Sequence, residues 1–264
     1  MVKHRITRHE LEYENGIPKR GYYNFDPPGD RLTYESLSIN DEYLGYKGIV
    51  YTPIDMPILE IDKNHIWELL NGDIIKDKYP KEYDERSFQC MGGAGLVLFM
   101  KNNLFREPES DASWFDWVHY ELPHVKEFIE QLPFIKIRQL SFVTPPKATD
   151  PHYDEPLNAT AVMKHQSPSC YRVRWSDVTI PEEEVFYITR DSGATKLYPI
   201  LPPETNTFVY DGSVFEHGGD SGFDMRDRVQ IVISGRLDVE KHHTLLDKSI
   251  ERFSDYVVYE DDFK

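Results

Sequence analysis

From Phe134 onward the hydrophobic pattern of this chain falls into short segments of period two. IKIRQLSFV, YRVRWSD, EVFYITR, ATKLYPI, NTFVYDGSVFEH and RVQIVISGRL follow one another, rich in β-branched and aromatic residues and separated by Pro, Gly, Asp or Ser clusters. A chain of such segments buries its apolar faces by pairing them into antiparallel sheets. Two facing sheets closed around a pocket, a jelly roll, accommodate this number of strands. The expectation is therefore a mainly β fold with flanking helices.

The first half reads differently. Turn clusters such as Asp26-Pro27-Pro28-Gly29 alternate with short periodic stretches. Residues 62–72 (DKNHIWELLNG) offer Asp62 as an N-cap, Ile66, Leu69 and Leu70 at helical spacing, and a closing Gly72. Residues 122–131 begin with Pro123 near a helix start and align Val125, Phe128 and Ile129 on one stripe before Pro133 ends it. Residues 244–253 read as a third helix packed outside the sheets. The division follows the change of pattern: 1–133 is a mixed segment packing on the core, 134–264 the β core with its C-terminal helix, together one compact unit. Trp114, Phe115, Trp117 and Tyr120 form an aromatic patch suited to covering a sheet, or alternatively to a lid over substrate.

Forty-six acidic against 30 basic residues give a formal charge of −16, which repels phosphate backbones, so no nucleic-acid partner is expected. Cys90 and Cys170, far apart and in no CxxC spacing, support neither a disulfide framework nor a thiolate zinc site. The first residues carry charges where a signal peptide needs an apolar stretch, and no apolar run approaches the ~18 residues of a membrane span. A cytoplasmic protein without membrane contact is expected, its oligomeric state left open.

The chemistry-bearing residues lie around the strands. His152 and Asp154 are two apart in PHYD, directly after IKIRQLSFV and its turn TPPKATD; in an extended segment residues at that spacing point to one face and can reach one ion. A third ligand must come from elsewhere. His217 in VFEHGG is the best candidate, since it ends a strand and two glycines let the backbone turn closely around a site. Two imidazoles and one carboxylate favour non-haem Fe(II) and leave coordination positions open for a chelating keto acid and O₂.

Arg228 opens RVQIVISG, where a guanidinium can grip the distal carboxylate of 2-oxoglutarate through two parallel hydrogen bonds. Arg226 lies in the turn before it and Arg236 near the other end of the same strand. In YRVRWSD the alternation puts Arg172, Arg174 and Ser176 on one face and Tyr171, Val173 and Trp175 on the other. Two readings stand: cations converging on the pocket, to hold cosubstrate or an anionic substrate group, or a half-exposed edge strand with a polar outer face. His165 follows a polar loop and either touches substrate or is solvated. His65, His119 and His124 suit surface or capping roles, while His242 and His243 fall past the last strand.

Residues 134–238 resemble the Fe(II)/2-oxoglutarate-dependent oxygenases, whose pattern is H-x-D/E, a distal His, then an Arg about ten residues on. The order HYDEP, YRVRWSD, FVYDGSVFEHGGDSGFDMRDRVQIVISG is similar to that of the aspartyl/asparaginyl β-hydroxylase-like group. The resemblance implies a double-stranded β-helix, cupin-like fold. It implies His152, Asp154 and His217 as metal ligands, Arg228 as the 2-oxoglutarate anchor, and a polar role for the strand of Arg172, Arg174 and Ser176. The expected assignment is Arg174 and Ser176 beside the cosubstrate and Arg172 and His165 toward substrate. Some members of the group replace the carboxylate ligand; this chain retains Asp154, which points to hydroxylation. Fe(II), 2-oxoglutarate and O₂ are the expected cofactor and cosubstrates, and a small molecule, possibly an amino acid or other carboxylate, the expected substrate. Two other classes fit the same residues: a jelly-roll binding module without turnover, and a cupin-type isomerase or hydrolase using another divalent ion.

Overall fold

The computed structural model describes residues 4–8, 13–14, 17–18, 46–71, 73–81, 94–97, 114–144, 149–152, 169–175, 185–189, 194–212, 215–220 and 229–263. Its strands are β1 (Arg5–Arg8), β2 (Tyr13–Glu14), β3 (Ile17–Pro18), β4 (Ile49–Pro53), β5 (Ala94–Val97), β6 (Phe134–Thr144) and β7 (Thr149–His152). There follow β8 (Ser169–Trp175), β9 (Phe186–Thr189), β10 (Thr195–Tyr198), β11 (Thr207–Asp211), β12 (Glu216–Gly219), β13 (Val229–Leu237) and β14 (Val258–Tyr259). The helices are α1 (Lys63–Asn71), α2 (Asp73–Lys78), α3 (Asp116–Glu121), α4 (Pro123–Ile129) and α5 (Val239–Phe253).

Antiparallel pairing builds a seven-stranded sheet in the order β14-β4-β11-β8-β13-β6-β5 and a five-stranded sheet in the order β1-β10-β9-β12-β7, beside the small β2–β3 pair. From β6 to β13 the chain passes between the two large sheets at every connection except β9 to β10. Strands from the first half join both sheets: β4 and β5 extend one and β1 the other.

Each sheet face has its own partner. The odd residues of β8, Tyr171, Val173 and Trp175, turn outward with Ile231 and Ile233 of β13 onto a core completed by the helices, including Ile66, Trp117, Val125 and Leu246. Between the sheets lies a second, smaller core that includes Tyr51, Ile188, Leu197, Phe208, Tyr210 and Phe215. Period two along β8 and β11 thus places alternate residues in different compartments.

The expected helices form at their capping signals. Asp62 accepts hydrogen bonds from the backbone N–H groups of Asn64 (2.9 Å) and His65 (3.3 Å) at the start of α1. Pro123 opens α4. α5 starts five residues before the expected 244–253, capped by Asp238, which accepts from Lys241 N–H at 3.2 Å. Phe115 and Trp117 of the aromatic patch are buried in the helix-covered core, while Tyr120 stays exposed.

Segment 55–61 is stitched to the strands by buried hydrogen bonds. Asn206 accepts from Leu59 N–H (3.1 Å) and donates to Leu59 C=O (3.0 Å), and Trp175 Nε1 donates to the same carbonyl at 2.5 Å.

Candidate metal centre

His152 is the last residue of β7 and His217 lies within β12, and the two are direct partners across the strand pair. Their ring centroids are 4.4 Å apart with planes inclined at 50°. The sequence reads 144–150 as a turn; in the structure β7 already begins at Thr149 and runs through Pro151. Proline lacks the N–H a central strand needs, and β7 tolerates it because it is the edge strand of its sheet. The ladder shifts register between His217 and Gly219, where the edge strand departs from regular pairing.

Gly218 sets how closely the two strands approach. A Cβ there would run into the Thr149 carbonyl oxygen and the Tyr187 hydroxyl, which themselves form a 3.2 Å hydrogen bond. Only glycine admits both beside the histidine pair.

His217 is buried, 4% exposed, and its neighbours orient it. Nδ1 lies 3.4 Å from the Phe215 carbonyl oxygen. A carbonyl only accepts, so that contact assigns the ring proton to Nδ1 and leaves the Nε2 lone pair for a ligand or metal. The Tyr210 ring meets the imidazole edge-on at 4.8 Å, with Phe186 beyond it at 6.2 Å.

The opposite wall carries the arginines. β8 is flanked by β11 on one side and β13 on the other, which excludes the edge-strand reading. Arg172 and Arg174 are 6% and 5% exposed and face the inter-sheet space. Arg172 Nη2 donates to the Tyr210 hydroxyl at 2.7 Å and Nη1 to the Tyr171 carbonyl at 3.3 Å. Its guanidinium carbon sits 5.2 Å from the Tyr210 ring centroid, and that of Arg174 lies 5.5 Å from Phe208. Gln230 and Val232 of β13 stand opposite Arg174 and Arg172. Both guanidinium groups are thus buried and walled by aromatic rings.

The pair of imidazoles suits a transition metal. Two rings bound to one ion at right angles, with metal–nitrogen bonds of about 2.1 Å, have centroids roughly 4.5 Å apart, close to the spacing found. Among the described residues no group of three His, Cys, Asp or Glu side chains converges as a metal site. Asp154, His165, Ser176 and Arg228 lie outside the described residues. Of the expected site residues the structure pairs His152 with His217 and links Arg172 to them through Tyr210, while Arg174 lies beside Phe208.

Sequence reasoning missed Tyr210. The alternation of NTFVYD puts it on the face of Phe208, and that signal was available; its bond to Arg172, 38 residues away, was not. It also left His242 unassigned beyond the last strand. That residue lies on the buried face of α5, sharing a 2.7 Å hydrogen bond with the Tyr171 hydroxyl, and burial, aided by nearby His243, pushes its imidazole down to about 3. Burial likewise raises the Tyr171 phenol far above its usual range. Both sit on the helix side of the seven-stranded sheet, away from the histidine pair.

Among the described residues no helix is long and apolar enough to cross a membrane. No family model and no curated protein matches the chain. Among solved structures it is similar to EvdMO1, at 13% identity and a TM-score of 0.38 over 73% of this chain and 48% of that one, so it spans about half that protein's length. It is also similar to HygX from Streptomyces hygroscopicus, solved with nickel, 2-oxoglutarate and hygromycin B bound, at 13% identity and a TM-score of 0.34 over 78% of this chain and 88% of that one.

Proposed function

We propose that this chain is an Fe(II)- and 2-oxoglutarate-dependent dioxygenase that hydroxylates a C–H bond of a small molecule, an amino acid or another small carboxylate. The observation that carries the reading is the cross-strand pair of His152 and His217, which Tyr210 links to the buried Arg172. The strand order supports it, because crossing between sheets at each step from β6 to β13 except β9 to β10 is how a double-stranded β-helix is strung.

In this reading His152, Asp154 and His217 hold Fe(II), Asp154 entering on its sequence position two residues after His152. Arg228, from its sequence position just before β13, is assigned as the anchor of the 2-oxoglutarate carboxylate, with Arg174 and Ser176 assigned beside the cosubstrate. Arg172 and His165 remain for substrate. When bound, the iron supplies the O₂ activation that couples conversion of 2-oxoglutarate into succinate and CO₂ to insertion of one oxygen atom into the substrate C–H bond. The chain's own part is orientation and exclusion of water. The arginines fix the keto acid, and Phe208, Tyr210 and Phe186 wall the space around His217, whose Nδ1 lies beside Phe215 C=O.

The test is succinate release from 2-oxoglutarate under air with added Fe(II), screened against a panel of amino acids and small acids. Succinate formation stimulated by one compound class is expected. Turnover that needs neither O₂ nor 2-oxoglutarate would replace the proposal with a cupin-type isomerase or hydrolase. Absence of Fe(II) or Mn(II) binding, unchanged by His152→Ala, would replace it with a binding module.

A further inference from the structure

We infer that Tyr210, held through its hydroxyl by Arg172, is a positioning residue that sets the orientation of the His217 imidazole. The inference rests on the reading of His217 as a metal ligand. It concerns a residue pair that belongs to neither the ligand set nor the cosubstrate clamp.

The backbone of His217 is fixed on both sides, by Ile188 of β9 and His152 of β7. Its ring is not fixed by that pairing, because rotation about the Cβ–Cγ bond of histidine is soft. The long 3.4 Å contact to Phe215 C=O is a weak restraint by itself. The Tyr210 ring stands against the imidazole edge-on at 4.8 Å and 63°, with the His152 ring at 4.4 Å and Phe186 at 6.2 Å also around it. Tyr210 is itself clamped, with Phe186 at 5.2 Å on one side, Phe208 at 6.1 Å on another, and a 2.7 Å charge-assisted hydrogen bond from Arg172. Arg172 and Tyr210 belong to the seven-stranded sheet and His217 to the five-stranded one, so the contact is made across the sandwich. A guanidinium donating to the phenol stops the ring from sliding along its own axis, which keeps its edge at the imidazole. Groups that hold a ligating histidine from behind in this way commonly change metal affinity on mutation without touching the ion.

The experiment compares full-length wild type, Tyr210→Phe, Tyr210→Leu and Tyr51→Phe. Tyr51 is a control from the same apolar cluster: buried, bonded through its hydroxyl to Ile200 C=O at 3.4 Å, and on the neighbouring strand β4. Mn(II) affinity is titrated by electron paramagnetic resonance, and long-range ¹⁵N–¹H spectra of the metal-free proteins report the His217 ring tautomer. Expected are a loss of about 10- to 100-fold in Mn(II) affinity for Tyr210→Leu, a smaller loss for Tyr210→Phe, and wild-type affinity for Tyr51→Phe. His217 resonances shift from one tautomer toward a mixture only in the Tyr210 variants. Folded Tyr210 variants with wild-type affinity and unchanged His217 resonances would overturn the inference. If wild type itself binds no Mn(II), the functional reading falls, while the metal-free spectra still decide whether Tyr210 orients His217. Should Tyr210→Leu fail to fold, Tyr210→Phe carries the test.

Discussion

His152 and His217 face each other as direct partners on β7 and β12, their ring centroids 4.4 Å apart. Because side chains alternate along a strand, slipping this pair by one residue would turn an imidazole out of the sandwich. The register of one short edge strand therefore decides whether the two rings meet at all.

Replacing either ring should remove metal binding while leaving the fold. For His152→Ala and His217→Ala, Mn(II) affinity is expected to fall at least about 100-fold, with far-ultraviolet circular dichroism unchanged. Asp154→Ala is expected to match them. An Asp154 variant that binds as wild type would remove it from the ligand set.

Gly218→Ala attacks the same geometry from the backbone. The added methyl collides with Thr149 C=O and the Tyr187 hydroxyl, so β7 must move from β12 or the strand must distort. A destabilisation of about 1–3 kcal/mol in urea titration is expected, together with weakened Mn(II) binding. Adding Tyr187→Phe takes away the hydroxyl but leaves both the ring carbon Cζ and the Thr149 carbonyl in the way, and should restore only a small part of the loss.

Acid should unfold the protein partly through His242. Its folded-state value near 3, against 6.5 in an exposed chain, means the native state refuses a proton that the unfolded chain accepts. Its contribution is intact above pH 6.5 and is lost as pH falls from there toward about 3. Within that window wild type should lose up to about 1.4 kcal/mol per pH unit more than His242→Gln, whose amide oxygen can still accept from Tyr171. Chemical denaturation at several pH values checks it; parallel curves for the two proteins would refute the assignment.

Asn206→Ala removes both bonds to Leu59 and takes the acceptor from the buried Leu59 N–H, while the Leu59 carbonyl keeps the bond from Trp175 Nε1. A loss of about 2–3 kcal/mol in thermal or urea unfolding is expected, larger than for an exposed side chain such as Glu204.

Much of this arrangement was legible in the chain, and the gaps have physical causes. The alternation of YRVRW sorted Tyr171 to Trp175 correctly between two faces, but a period of two cannot say which face looks inward. That follows from β8 lying between β11 and β13, a long-range fact. β4 went unseen because all five of IVYTP are buried, which erases the apolar–polar contrast. β7 went unseen because it is four residues long and contains a proline. The histidines could be singled out, since their chemistry is local to each residue. Tyr210 could not, because its place depends on an arginine on another strand.

The strands that carry the two imidazoles lie 65 positions apart (217 − 152) and pair only at the sheet edge. Such distant pairing is among the slower events in folding, since the intervening chain must first lose its freedom. In the proposed metalloenzyme, a nascent chain with β12 undocked would hold His152 apart from His217, and an ion would be captured by both only once the sandwich has closed. Metal uptake would then be a late checkpoint of assembly, favouring the finished molecule by mass action without templating the route to it.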